Sequence, residues 1–269
     1  MGKDVENPMK HFILLLIFVV TSGAAFAGVS YRFEMEASGL ASRGMAGSVD
    51  AEPGSMRVNI DRGDGMMYAD HSFAITSGKA KRLTVVDPSA KTFYEIALDD
   101  LAGGGGSMLH QLKEMMNLTV TRPRVDVRDL GDGGTIEGYP TRHRLVETSY
   151  RVTVAAAALS VAFTTTVESW TTDKIPSDYA SVLAQNELRS GIPEVDKLIE
   201  AQAGQAAGFP LRQISTTKIA RSDSTITLKT VTTIRDVRSR AINPSVFAVP
   251  PGYTRVDNPI EKAMKAIGK

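Results

Sequence analysis

Three histidines lie beyond the first 27 residues, and histidine is the side chain whose pKa best suits acid–base chemistry near neutral pH. His71, His110 and His143 share no i, i+3 or i+4 spacing that would place two metal ligands on one helix face. Asp70 and Ser72 flank His71, but neighbours on a strand point to opposite faces and cannot form a relay. The sequence therefore predicts no catalytic residue, no metal site and no cofactor, and hence no enzyme.

A methionine-rich stretch follows the four glycines at residues 103–106, which lack the lysine of a phosphate-binding loop. Ser107 is suited to cap a helix, and five apolar residues then fall on one face of that predicted helix: Met108, Leu109, Leu112, Met115 and Met116. Flexible methionine side chains suit surfaces that bind varied apolar partners. Ordinary core packing against a sheet explains the same pattern, so both interpretations stay open at this point.

The N-terminal residues have the pattern of a secretory signal peptide. Lys10 precedes an unbroken apolar run at residues 12–20, and Ala25 and Ala27 stand at the two positions that a signal peptidase recognises. The run is shorter than the roughly 20 residues that a transmembrane helix needs. We therefore predict a signal peptide at residues 1–27, cleavage after Ala27, and a periplasmic or otherwise exported protein that is not integral to a membrane.

The start of translation is a related prediction. Asp4 and Glu6 lie where the first region of a signal peptide is normally basic. A start at Met9 instead gives a lysine followed directly by the apolar run, so we expect Met9 to be the true start.

Composition limits the function classes that remain. The chain has no cysteine, which excludes disulfides, thiol catalysis and thiolate metal sites. Its 31 basic and 30 acidic residues nearly cancel, so electrostatics give no reason to expect a nucleic acid as partner. The length suits one domain, predicted at residues 28–257, with a loose C-terminal tail at residues 258–269.

Alternating apolar and polar residues predict strands along most of the chain. Predicted helical segments interrupt them at the methionine stretch and in an insertion at about residues 176–207. Because the strands come in hairpin-linked runs, the sequence predicts an α+β fold with one large antiparallel sheet. The predicted strands are residues 29–37, 56–60, 83–86, 92–98, 118–120, 125–130, 141–154, 161–167, 211–219, 225–233 and 235–239. Glycine-rich turns are predicted at residues 131–134 and 138–140.

Several short segments, taken in order, resemble a family of uncharacterised bacterial envelope proteins that carry a domain of unknown function. These segments are residues 54–60, 85–87 with 92–95, 130–131 with 135–140, 167–173, 208–212 and 244–253. That family is similar in layout to the periplasmic lipoprotein carrier, LolA. The resemblance implies a strongly curved antiparallel sheet, a half-barrel, whose concave face is covered by helices that enclose a hydrophobic cavity.

The function that follows from this resemblance is the non-enzymatic binding of a hydrophobic ligand, a lipid or acyl chain, between sheet and helices. The predicted contacts are the five apolar residues of the methionine stretch together with Phe33, Met35 and Trp170. A docking or sensing module for another envelope protein, with a packed core, is the first alternative. A hydrolase in which His71 or His143 meets a carboxylate and a hydroxyl is the second.

Overall fold

The structure is a computed structural model that describes residues 28–39, 44–63, 68–77, 82–97, 118–154, 159–180, 193–203 and 208–258. Twelve β-strands make up most of this part of the chain. They are β1 (Val29–Ser38), β2 (Met45–Glu52), β3 (Ser55–Arg62), β4 (Phe73–Ser77), β5 (Arg82–Asp87), β6 (Thr92–Ala97), β7 (Leu118–Ile136), β8 (Tyr139–Val154), β9 (Leu159–Thr172), β10 (Phe209–Ala220), β11 (Thr225–Ser239) and β12 (Thr254–Arg255).

All twelve strands belong to one open sheet with the order β12-β6-β5-β4-β3-β2-β1-β11-β10-β9-β8-β7. Neighbouring strands are antiparallel, except that the short β12 pairs with β6 in parallel. Strand β1 sits in the middle, where it pairs with β2 on one side and with β11 on the other. The large antiparallel sheet predicted from the sequence is therefore confirmed.

The main hydrophobic core lies on one face of this sheet. In β1 the residues Val29, Tyr31 and Phe33 are buried and alternate with more exposed polar residues, as the period of a strand requires. They pack with Phe209 and Leu211 of β10, both fully buried. We call the sheet face that carries Tyr31 and Phe33 the inner face and the opposite one the outer face.

A smaller cluster lies on the outer face and fixes the C-terminal segment. Phe73, Ile75 and Val86 are buried there beneath Phe247 and Tyr253. The covering segment starts with a short 3₁₀ helix at Pro244–Phe247 and then adds β12 to the sheet edge, where the Thr254 amide donates to the Lys91 carbonyl at 2.9 Å.

The prediction of an α+β fold, with helices covering the concave face of a half-barrel, is wrong. The structure is almost entirely sheet, and its described α-helix does not cover a sheet face. One α-helix is described, α1 (Pro193–Ala203), and it contacts β7 at the edge of the sheet. The predicted insertion at about 176–207 otherwise contains a 3₁₀ turn at Ser177–Tyr179. Threonine, valine and isoleucine favour strands, and long strand pairs occupy residues that the prediction gave to turns and short strands.

The predicted helix at residues 108–116 lies outside the described residues, as does the part of the predicted insertion at residues 181–192. Within the described ranges, no helix has the length and apolarity needed to cross a membrane.

Candidate functional site

The strand register joins Phe33 and Met35 to a longer surface on the inner face. Directly opposed residues of neighbouring strands share a face, and Phe33 opposes Ile234 while Met35 opposes Thr232. Three further rows then cross β8, β9, β10 and β11 on this face. We call these twelve residues the long-strand face: Val146, Val167, Ser215 and Thr230; Thr148, Thr165, Thr217 and Leu228; Tyr150, Phe163, Ile219 and Ile226.

The twelve residues of the long-strand face carry no charged side chain, whereas the adjoining row of Met35 and Thr232 continues through Gln213 and Ser169 to Arg144. On the outer face, within the same stretches of these strands, lie Glu147, Lys218 and Lys229. Val146 and Thr148 are buried, and the other ten residues of the long-strand face are half-buried. Antiparallel sheets that face water on one side normally alternate apolar residues with polar and charged ones. The long-strand face is therefore the side of these strands that is suited to contact with apolar groups.

Local contacts order the side chains of this surface. The rings of Tyr150 and Phe163 are stacked, with centroids 5.1 Å apart and an angle of 11° between their planes. Burial raises the pKa of the Tyr150 phenol above its ordinary value. The hydroxyls of Thr165 and Thr217 lie 3.0 Å apart and hydrogen-bond to each other. Because this pair satisfies itself, an apolar molecule can cover it with less loss of solvation than two free hydroxyls would impose.

The predicted ligand contacts do not all come together. Phe33 and Met35 share the inner face. Trp170 opposes Arg212, and Arg212 opposes Thr233, which neighbours Ile234 and therefore lies on the other face. The register thus places Trp170 on the outer face. The residues Met108, Leu109, Leu112, Met115 and Met116 lie outside the described part of the chain.

Trp170 belongs to a polar ladder on the outer face. Its ring stacks on His143, with centroids 4.2 Å apart, and the Arg212 guanidinium lies 5.1 Å from the Trp170 ring centroid. The His143 Nε2 atom is 3.3 Å from the Glu168 carboxylate. The ladder therefore joins a half-buried imidazole to one carboxylate, and the described residues supply no hydroxyl contact to this imidazole that would complete a nucleophilic triad.

The neighbours of His71 are bonded elsewhere. The Ser72 hydroxyl donates to the Ala69 carbonyl at 2.6 Å, and the Asp70 carboxylate accepts from the Gly63 amide at 2.7 Å. These bonds hold the connection between β3 and β4, so neither group is directed to His71 as a catalytic partner. Across the described residues no group of three or more histidine, aspartate or glutamate side chains is placed to hold a metal ion.

Sequence reasoning missed the long-strand face, although one strand carried a usable signal. In β11 the even-numbered positions from Ile226 to Ile234 are uncharged, whereas Lys229 and Arg235 fall on odd-numbered positions. This alternation could have located one row of the surface. The rows across β8, β9 and β10 need the strand order and register, which the sequence does not contain.

Comparison with known proteins gives little further information. No family model and no curated protein matches this chain. Among solved structures, a LolA superfamily protein from Nitrosomonas europaea is matched over 82% of this chain and 90% of that chain, with 8% sequence identity and a TM-score of 0.30. A likeness of this size establishes neither a common fold nor a common function.

Proposed function

We propose that this chain is an exported, non-enzymatic binding protein whose inner sheet face receives an apolar ligand, such as a lipid or an acyl chain. The observation that carries the proposal is the uncharged, mostly half-buried long-strand face, which lies on the same inner face as the buried pair Phe33 and Ile234, one row beyond Met35 and Thr232. Burying apolar surface stabilises a complex by roughly 25 cal/mol for each Å² removed from water. Accessible surfaces rich in apolar side chains often mark binding sites.

The proposed contacts start at the middle of the sheet and run outward. Phe33 and Met35 lie at the core end, Val146 and Val167 follow, and the Tyr150–Phe163 pair lies at the far end. An extended chain lying along this path would meet the methyl groups and rings of the aliphatic and aromatic residues, together with the methyl groups and hydroxyls of the threonines between them. The Thr165 hydroxyl lies between them and is hydrogen-bonded to the Thr217 hydroxyl, which lowers the cost of removing it from water.

The methionine stretch remains part of the proposal. Residues 98–117 connect β6, next to one edge of the sheet, to β7 at the opposite edge. We propose Met108, Leu109, Leu112, Met115 and Met116 as further ligand contacts, because flexible thioether side chains adapt to chains of differing shape.

Two neighbouring positions on β9 provide a matched test. Val167 lies on the long-strand face, and Thr166 lies beside it on the outer face. We expect Val167→Asn to weaken binding of the fluorescent fatty acid cis-parinaric acid about five- to tenfold, since it places an amide in the apolar path. Thr166→Asn should leave the affinity within about twofold, because Thr166 lies on the opposite face of the sheet from the proposed site. Fluorescence titration with each variant measures both affinities.

The proposal fails if wild-type protein shows no saturable binding of the fatty acid. It also fails if the two substitutions weaken binding equally, because the effect would then not depend on the face of the sheet. Thermal unfolding of both variants checks that each is folded before the titration.

A further inference from the structure

A separate cleft of about 370 Å³ opens on the outer face, on the opposite side of the sheet from the proposed lipid surface. Its walls combine polar groups of β3 and of the β3–β4 connection with apolar groups of the C-terminal segment. The residues that line it include Arg57, Asn59, His71, Phe73, Pro250 and Tyr253. Its volume falls within the roughly 300–1,000 Å³ of small-molecule sites.

Arg57 is held in a fixed orientation inside this cleft. Its Nε atom donates to the Asn59 side-chain oxygen at 2.7 Å, and its Nη1 atom donates to the Val246 carbonyl at 3.2 Å. The guanidinium carbon lies 3.7 Å from the centroid of the Phe73 ring, so one face of the cation rests on an aromatic surface. A guanidinium has five N–H donors. Among the described residues, the Asn59 side chain and the Val246 carbonyl are the only hydrogen-bond acceptors of the Arg57 guanidinium.

The charge of Arg57 is not neutralised by an ion pair within the described residues. Asp50, its cross-strand neighbour, instead accepts from Arg240 at 2.7 Å and from the Ser30 hydroxyl at 2.6 Å. Asp61 also lines the cleft, and its carboxylate pairs with Arg32 at 3.6 Å. Burial lowers the pKa of the Arg57 guanidinium, while the nearby Asp50 carboxylate acts in the opposite direction. A half-buried cation that has no ion-pair partner among the described residues favours an anionic ligand.

The remaining walls suit the apolar part of such a ligand. Phe73 is buried, while Tyr253 and Pro250 are half-buried, and the Phe73 and Tyr253 rings belong to the outer hydrophobic cluster. His71 adopts a φ of 60°, a conformation that costs a non-glycine residue free energy and is common at functional sites. The cleft thus places one oriented cation beside an aromatic and proline wall.

We propose that this cleft binds a small organic anion, whose carboxylate or phosphate group pairs with Arg57 and whose apolar body lies against Phe73, Pro250 and Tyr253. The inference does not depend on the proposed lipid binding, because it concerns different residues on the other face of the sheet. Benzoate and phenyl phosphate are suitable probes, and benzyl alcohol is a neutral probe of similar shape.

Nuclear magnetic resonance titration of the full chain tests the proposal, with each probe followed at the backbone amides of β3, β4, Gly252 and Tyr253. We expect saturable shifts at these amides with one or both anions, and binding of benzyl alcohol weaker by about tenfold or more, as expected for the loss of a charged hydrogen bond. Arg57→Gln should weaken binding of the anion by a similar factor. Arg62→Gln is the matched control, because Arg62 ends the same strand, is exposed and pairs with Glu34 at the edge of the ion-pair range, 4.0 Å.

If Arg57→Gln does not fold, Arg57→Lys replaces it. This variant keeps the charge but loses the fork geometry, so the anion should bind more weakly than to wild type and still more tightly than benzyl alcohol. Equal affinity for the anions and the alcohol would overturn the proposal, as would unchanged binding in Arg57→Gln. Arg57-dependent binding to phosphatidylglycerol vesicles with no binding of either free anion would also overturn it, since the phosphate would then belong to a lipid surface.

Discussion

At the scale of single residues, Tyr31 shows how one polar group organises the centre of the inner face. Its ring packs edge-on against Phe209, with centroids 5.3 Å apart, and the side chain is buried. Its hydroxyl donates to the Tyr179 carbonyl at 2.9 Å and lies 3.3 Å from the Ala180 carbonyl. The phenol therefore ties the 3₁₀ turn after β9 to the middle strand of the sheet.

Removing this hydroxyl deletes its buried hydrogen bond to the Tyr179 carbonyl. We expect Tyr31→Phe to lower the free energy of unfolding by about 0.5–1.5 kcal/mol, the usual net contribution of one hydrogen bond. Tyr94→Phe is a suitable control, because Tyr94 packs against the same core and makes no hydrogen bond among the described residues. Urea unfolding of the two variants measures the difference. Equal losses would contradict the role given to the Tyr31 hydroxyl.

The same residue predicts how stability depends on pH. Burial raises the pKa of Tyr31 in the folded state, whereas a tyrosine in the unfolded chain ionises near pH 10. The stabilising contribution is therefore complete below about pH 10 and is lost as pH rises further, because only the unfolded chain then releases its proton. Urea unfolding between about pH 8 and pH 11 should show falling stability. Tyr31→Phe should reduce the fall but not abolish it, since burial also raises the pKa of Tyr150. If Tyr31→Phe lost as much stability as wild type over this pH range, the pH dependence could not be assigned to Tyr31.

At the scale of elements, β7 and β8 form a long hairpin whose glycines act as bulges. The sequence predicts a turn at residues 131–134, but β7 continues to Ile136, with register shifts between Asp129 and Gly131 and between Asp132 and Thr135. Gly131 has a φ of 87° and Gly134 a φ of 75°, so both occupy the left-handed region while strand pairing continues. The true turn follows at Gly138, with a φ of 80°, as the sequence predicts.

The left-handed bulge conformation can be tested by substitutions at Gly131. An added Cβ there has open space around it, so Gly131→Ala should cost only the conformational strain of a positive φ, about 1–2 kcal/mol. Gly131→Asn should cost less, because asparagine adopts this conformation more readily than alanine. Denaturant unfolding of the two variants checks the ranking. If alanine were tolerated as well as asparagine, the strained bulge would not be present in solution.

Other elements show what the sequence could and could not predict. The β5–β6 hairpin was predicted correctly, because Asp87 is a strong turn residue and its carboxylate indeed accepts from the Ser89 amide at 2.9 Å. Strand β2 was missed because its inner positions include Gly47, where a Cβ would lie 2.9 Å from the Phe33 ring and 2.0 Å from the Asn59 carbonyl oxygen. Small residues are required there by the partner strands. Such a requirement weakens the hydrophobic pattern by which a strand is recognised.

At the scale of the whole molecule, the sheet is open and its long edge strand is protected. Within the described chain β7 pairs with β8 alone, and open edges invite pairing with another copy. β7 carries Pro123, which has no amide hydrogen to donate, and the exposed Arg124 and Arg128. These residues are typical of edges that avoid association.

Removing this protection should cause self-association. We expect the triple variant Pro123→Val, Arg124→Val and Arg128→Val to form oligomers in a concentration-dependent manner, measured by sedimentation velocity. The control is the double variant Lys218→Val and Lys229→Val, which changes the outer face of β10 and β11, two strands that are paired on both sides. It should sediment like wild type. Association of the control but not of the edge variant would contradict this account of the edge.

The central claim is that the inner face of this sheet holds an apolar molecule. Native mass spectrometry of the full chain, isolated from a bacterial envelope and followed by organic extraction, tests it most directly. The account predicts a mass above that of the polypeptide, a lipid or fatty acid in the extract, and loss of most of that adduct in Val167→Asn but not in Thr166→Asn. A polypeptide mass alone, with nothing in the extract, would contradict the claim.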